Sequence, residues 1–293
     1  MLHLERILVP VDFSEHNLAA VGQAGELSRR FHSQVTLLHV NEFLVIHPFT
    51  GALGFGITSS EAIRAEHLAA RQKMLQEFGA VELAGVNVKR MVCSGDPARL
   101  IAERAREEHS DLILMPTRGG GVFRRFLLGS VTAKVLHDAQ CPIWTGVHVV
   151  EPPTLPPAGI HDVLCAVDFG PQSACALQWA DGFAAALGAN LTVVHAVLEM
   201  PPNLPERYTY QWHAESHCGA SERLHELLLD CQVRAKVLVV SDGDVPNALA
   251  KAAGDSGAGL MVIGRGSKER EGGRLGSQTY SIICSSPCSV VSI

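Results

Sequence analysis

The sequence predicts an α/β protein built from two doubly wound, five-stranded parallel-sheet domains related by a pseudo-two-fold axis. Three observations carry this expectation. The chain repeats itself, its strand segments are continuous apolar runs, and helical segments alternate with them.

The repeat is read from matches that occur in the same order in both halves. Leu4-Glu5-Arg6-Ile7-Leu8-Val9-Pro10-Val11-Asp12-Phe13 and Ile160-His161-Asp162-Val163-Leu164-Cys165-Ala166-Val167-Asp168-Phe169 both end in Val-Asp-Phe. Gln34-Val35-Thr36-Leu37-Leu38-His39-Val40 matches Asn190-Leu191-Thr192-Val193-Val194-His195-Ala196. Ser94-Gly95-Asp96 then matches Asp242-Gly243-Asp244, and Asp111-Leu112-Ile113-Leu114-Met115 matches Gly259-Leu260-Met261-Val262-Ile263. Gly129-Ser130 and Cys141 match Gly276-Ser277 and Cys288. The expected domains are 1–148 and 160–293. A connector over 149–159, stiffened by Pro152, Pro153, Pro156 and Pro157, joins them.

Each half reads as alternating strand and helix. The first half has strands near 4–10, 34–40, 86–92, 111–115 and 142–148, with helices near 15–31, 60–79, 97–109 and 129–138. The second has strands near 161–167, 190–197, 233–240, 259–263 and 287–292. Its helices fall near 171–187, 214–230, 245–254 and 276–285. Asp96 followed by Pro97 is a helix start: a capping carboxylate, then a residue with no N–H to satisfy. Strands without polar alternation suit a parallel sheet covered on both faces. The last strand of each half, from Cys141 and from Cys288, is an apolar sheet edge, and such an edge tends to pair or be covered.

Composition narrows the function. The 293 residues are 47% hydrophobic and 18% charged, so each half can bury a core. A net charge of −6 gives no broad basic face for nucleic acid, and any phosphate site must be local. No apolar run is long enough to cross a membrane, and the start of the chain has no signal-peptide layout. A cytoplasmic protein with its eight cysteines reduced is expected.

The candidate chemistry sits beyond strand ends. Asp12 closes the first strand. The fourth is followed by Pro116-Thr117-Arg118-Gly119-Gly120-Gly121-Val122-Phe123-Arg124-Arg125-Phe126-Leu127-Leu128-Gly129-Ser130. Such a loop lets the backbone approach a phosphate, and the helix it enters offers free N–H groups to an anion. Ser130 can cap that helix or bond a phosphate oxygen, and Arg118, Arg124 and Arg125 add positive charge. The bland alternative is an ordinary strand-to-helix turn. The loop is neither a Walker A motif nor a dinucleotide fingerprint. His213 and His217 stand one helical turn apart beside Cys218, and a solvated helix face is the better reading than a metal site. His39 and His195 occupy equivalent strand positions, which favours a core or ligand-proximal role. Cys284 and Cys288 read as packing residues. No nucleophile elbow or carboxylate pair appears, so a binding protein rather than an enzyme is expected, with slow nucleotide hydrolysis as the alternative.

The chain resembles the universal stress protein family over nearly its full length. Ile7-Leu8-Val9-Pro10-Val11-Asp12-Phe13-Ser14, Gly119-x9-Gly129-Ser130 and Cys141-Pro142-Ile143 carry the resemblance. It implies a Rossmann-like fold of the adenine nucleotide alpha hydrolase type. It also implies a stress-response regulator that binds ATP or AMP, needs no metal and pairs through its fifth strands, as an internal pseudo-dimer with room for a further homodimer. Members of the ATP-binding branch carry G-x2-G-x9-G-(S/T) after strand four. By position, the resemblance implies Asp12, Val40, Met115, Thr117, Gly119, Gly129, Ser130 and Val131 as nucleotide-binding residues. Two departures stand out. Pro116 replaces the first glycine and removes its N–H. The second-half loop, from Gly264 to Ser277, is one residue short and carries Glu269 and Glu271, so that half reads as degenerate. The competing expectation is a scaffold that keeps the fold without a ligand.

Overall fold

The computed structural model describes residues 2–42, 58–117, 128–146, 159–198, 206–266 and 277–293. The first half runs β1 (Arg6–Pro10), α1 (Glu15–Phe31), β2 (Gln34–Asn41), α2 (Thr58–Glu77), β3 (Val88–Ser94), α3 (Pro97–Glu107), β4 (Leu112–Met115), α4 (Ser130–Asp138) and β5 (Ile143–Thr145). The second runs β6 (Asp162–Ala166), α5 (Ser173–Leu187), β7 (Asn190–Ala196), α6 (Glu206–Asp230), β8 (Lys236–Val240), α7 (Val245–Asp255), β9 (Leu260–Ile263), α8 (Ser277–Ser285) and β10 (Ser289–Ser292).

All strand pairs within a half are parallel. The described strands form one ten-stranded sheet in the order β3-β2-β1-β4-β5-β10-β9-β6-β7-β8. The halves meet where β5 runs antiparallel to β10, with Ile143 opposite Ser292 and Thr145 opposite Val290. The last strand of each half, an edge within that half, is therefore central in the whole chain. The outer edges are β3 and β8.

Successive strand residues face opposite layers, which is why the strands are apolar throughout. Ile7 and Val9 enter one core cluster while Leu8 enters the other; Leu112 and Leu114 divide from Ile113 and Met115 in the same way. The first cluster lies under α1, α2, α5 and α6, and the second under α3, α4, α7 and α8. Each cluster runs through both halves.

Helix starts repeat with the sequence. Asp96 accepts the Arg99 amide at 3.0 Å and Asp244 accepts the Asn247 amide at 2.8 Å, each just ahead of a proline. At α4 the expectation changes. Gly129 holds the cap position without a side-chain bond, and Ser130 is the first helical residue. Helix α6 begins at Glu206, ahead of the expected 214, and β8 begins at Lys236 rather than 233. The second shift has a local cause. Gln232 takes a left-handed φ of 57° and the Val233 amide bonds back to Leu228 O, so Val233 closes the helix instead of opening the strand. Residues 149–158 of the connector expected over 149–159, and the last residues of the expected fifth strand, 147–148, lie outside the described residues.

Candidate functional site

In the first half the chain leaves β1 toward β2 on one side, while β4 lies on the other. The crevice beyond the carboxyl ends of β1 and β4 is thus the topological switch point, where open α/β sheets bind ligands. A cavity of about 420 Å³ opens there, within the range of small-molecule pockets. Its walls come from β1, β2, β4 and the first turn of α4, with Asn17 of α1, Arg71 of α2 and Pro97 and Ile101 of α3 completing the lining.

The β1 wall is held by a side chain that sequence reading passed over. Asn17, 2% exposed, accepts the Asp12 amide on Oδ1 at 2.6 Å and donates through Nδ2 to Pro10 O at 3.3 Å. It thereby bonds both the strand end and the turn after it. Asp12 Oδ1 accepts the Ser14 amide at 3.0 Å, and Phe13 adopts a left-handed φ of 64°. A left-handed phenylalanine is uncommon and needs local support. Here the Phe13 ring lies 4.4 Å from the His39 ring and 5.5 Å from Phe78, with the Arg71 guanidinium 5.8 Å above it.

His39 Nδ1 lies 2.8 Å from Val11 O, so Nδ1 carries the proton and donates. Burial holds the imidazole below the usual histidine range, against the pull of the Val11 carbonyl; Arg71 adds to the lowering and Asp12 opposes it. The neutral ring leaves Nε2 as an acceptor, and that atom is buried without a hydrogen-bond partner among the described residues.

Of the residues expected to bind nucleotide, Asp12, Val40, Met115 and Val131 line this one cavity. Thr117 and Gly129 meet at its α4 end, where the Gly129 amide donates to Thr117 O at 2.9 Å. Ser130 opens α4 and is exposed. Gly119, Arg118, Arg124 and Arg125 lie outside the described residues. Pro116 also lines the cavity, and its carbonyl accepts the Thr132 hydroxyl at 3.2 Å. Glu42, Arg71 and Thr132 join the lining without having been singled out from sequence. Arg71 had a signal available, since Arg223 takes the equivalent place over Phe169 in the second half; Asn17 had none, because the repeat has Ser173 at its position.

That half keeps the base of the arrangement. Phe169 has φ 59°, its ring lies 4.4 Å from His195, and Arg223 sits 4.0 Å above it. His195 Nδ1 lies 2.8 Å from Val167 O. Asp168 Oδ1 accepts from the Gly170 amide at 2.8 Å and from the Ser173 hydroxyl at 3.1 Å. Residues 267–276, including Glu269, Glu271 and Gly276, lie outside the described residues.

Among the described residues no His, Cys, Asp and Glu cluster could hold a metal. The His213 side chain is outside that description. Cys165 and Cys288 are buried, whereas Cys175 and Cys218 are exposed. The packing role expected of Cys288 agrees with its burial, and Cys284 is half-buried. Burial pushes the Cys165 thiol up to about 12, which removes it as a nucleophile.

An open, parallel sheet with helices on both faces and a crevice at its switch point defines a doubly wound α/β architecture. The chain belongs to the universal stress protein family, whose sequence profile matches residues 3–157 and again 159–293. A universal stress protein of Methanocaldococcus jannaschii is 32% identical over 141 residues, covering 47% of this chain and 79% of that one. One from Mycolicibacterium smegmatis is 26% identical over 220 residues, covering 73% and 70%. The crystal structure of a universal stress protein from Archaeoglobus fulgidus superposes over 99% of this chain and 96% of its own with a TM-score of 0.66. Its identity is 21%, so the likeness speaks for the fold.

Proposed function

We propose that the first half binds an adenine nucleotide, ATP or AMP, and that the chain acts as a stress-response regulator in the cytoplasm whose nucleotide state a partner reads. The carrying observation is that Asp12, Val40, Met115 and Val131, distant in sequence, line one cavity that ends at the first turn of α4. In this reading Asp12 accepts from the ribose hydroxyls and Val40 packs against the base. Gly119, Gly129 and Ser130 receive the phosphates at the helix N-terminus, where free N–H groups favour an anion.

The proposed role is binding without turnover. The described lining offers Asp12, His39, Glu42 and Arg71, and no nucleophile hydrogen-bonded to a base supports a reaction. Calorimetry with ATP and AMP tests the reading. The unaltered chain is expected to bind at micromolar to millimolar nucleotide, and Gly129→Asp to lose binding through charge repulsion at the phosphates. Absence of binding by the unaltered chain, or a Gly129→Asp variant that binds equally well, would reject it.

One observation favours the scaffold reading: Pro116 has no N–H to offer where the resemblance implies a glycine. On the scaffold reading neither ATP nor AMP binds the unaltered chain, and the same titrations distinguish the two cases. The pairing of β5 with β10 supports taking the chain as its own dimer. Sedimentation is expected to give a 31.4 kDa particle, with a species of twice that mass marking the further homodimer, and crosslinks placing residues 143 and 290 more than about 25 Å apart, far beyond one strand spacing, would count against the internal pair. Among the described residues no helix is long and apolar enough to cross a membrane.

A further inference from the structure

Helix α4, which opens at the candidate phosphate site, is held at both ends by the other half of the chain. At its N-terminal end the Leu128 amide donates to the Tyr280 hydroxyl of α8 at 2.9 Å. The next amide, that of Gly129, donates to Thr117 O within its own half, also at 2.9 Å. The last two residues before the helix are therefore fixed from two sides, one of them foreign. At the C-terminal end the Arg265 guanidinium donates to Ala139 O at 3.0 Å, Cys141 O at 2.9 Å and Leu136 O at 3.4 Å. A cation on these carbonyls satisfies acceptors that the helix leaves open and complements its dipole. Arg265 is itself anchored, since its amide donates to Ile293 O at the end of the chain.

The arrangement is one-sided. By the repeat, Tyr280 stands where the first half has Ala133, and Arg265 where it has Thr117. Neither Ala133 nor Thr117 can reach across to return either contact. The position that follows β9, equivalent to a ligand-site position in the first half, is thus occupied by a side chain turned to the neighbouring half.

We infer that Tyr280 and Arg265 are positioning residues for the first-half site: the second half sets the backbone that enters α4 and so controls the phosphate side of binding in the first. The inference rests on the nucleotide reading above and adds to it a role for the half whose own loop departs from the family pattern. It separates two parts of the ligand. The base side is built by Asp12, Asn17, His39 and Val40 of the first half alone. The phosphate side depends on the contacts from α8 and Arg265.

The test uses the full chain and the Tyr280→Phe variant, which keeps the ring and removes only the hydroxyl. ATP and adenosine are titrated by calorimetry, and exchange of the Leu128 amide is followed by NMR. ATP affinity is expected to fall about five-fold, the size of one lost hydrogen bond, with adenosine affinity unchanged. Exchange at Leu128 is expected to rise. Arg265→Lys, which keeps the charge but loses the planar fork, is expected to show the same selective loss. A general loss of structure would lower both affinities together. Equal loss for ATP and adenosine, or unchanged ATP affinity in Tyr280→Phe while the unaltered chain binds, overturns this inference alone. An unaltered chain that binds neither ligand overturns the nucleotide reading and the inference with it.

Discussion

His39 is 8% exposed, with its Nδ1 proton committed to Val11 O and its ring against Phe13. Because burial lowers its folded-state value below the ordinary 6.5, the unfolded chain takes up a proton first as the pH falls. The stability that the neutral ring contributes is complete above that pH and is lost as the pH drops through the lower, folded-state value. His39→Asn keeps a donor for Val11 O and removes the titration. The difference in melting temperature between parent and variant is expected to stay constant above about pH 7 and to narrow as the pH falls from about 6.5 to 5. A difference that does not move over this range would show that His39 does not titrate with unfolding. The repeat made His39 and His195 visible as equivalent positions. It could not show that both lie against a left-handed phenylalanine, because that contact joins β2 to the turn after β1.

At the scale of elements, the regular starts follow from local chemistry. Asp96 and Asp244 cap their helices because a carboxylate in extended backbone can reach the amide three residues on, and a proline follows without an N–H to waste. Asp244→Ala is expected to cost about 1 kcal/mol by chemical denaturation, and Asp244→Asn to restore most of it. A cost within error of zero would mean that solvent satisfies the Asn247 amide equally well. Helix α4 follows a different rule. Its cap position is a glycine with no side chain to contribute, so its entry is fixed by Thr117 O and by Tyr280. This explains why Ser130 looks like a cap in the sequence and is not one: the contacts that set the helix start come from positions far along the chain. Asn17 differs: its partners Asp12 and Pro10 are five and seven residues away, and its role in closing β1 depends on the local turn that brings its side-chain amide back to them.

The whole molecule is knit at its centre. Trp144 of β5 is fully buried, 5.5 Å from the Phe183 ring of α5, and Phe183 stacks on Trp179 at 5.0 Å and on Phe31 at 6.0 Å. Arg30 of α1 adds two bonds to Ala186 O, at 2.5 and 3.2 Å. Since both core clusters pass through this seam, the chain is expected to unfold in one calorimetric transition rather than two. Trp144→Ala is expected to cost about 3–5 kcal/mol and to broaden or split that transition. Trp144→Phe should cost clearly less, since it retains a ring and removes an indole N–H that is buried without a partner. Two separate transitions in the unaltered chain would contradict the shared core.

What the sequence determined by itself is whatever depends on neighbours along the chain. The strand and helix alternation, the proline-led caps and the apolar strands buried on both faces are local or periodic properties, and the duplication let each half check the other. Asp12, Val40 and Met115 could be placed by the sequence because they lie at strand ends, and Val131 only through the family resemblance; all four line the cavity. Only the tertiary structure decided how the pieces combine. It joins ten strands through the β5–β10 pair, brings Asn17 and Arg71 to the cavity, and turns Tyr280 and Arg265 from the second half onto α4. Those contacts link residues more than a hundred positions apart, and no periodicity in the chain encodes which side chain of one repeat will meet which backbone group of the other.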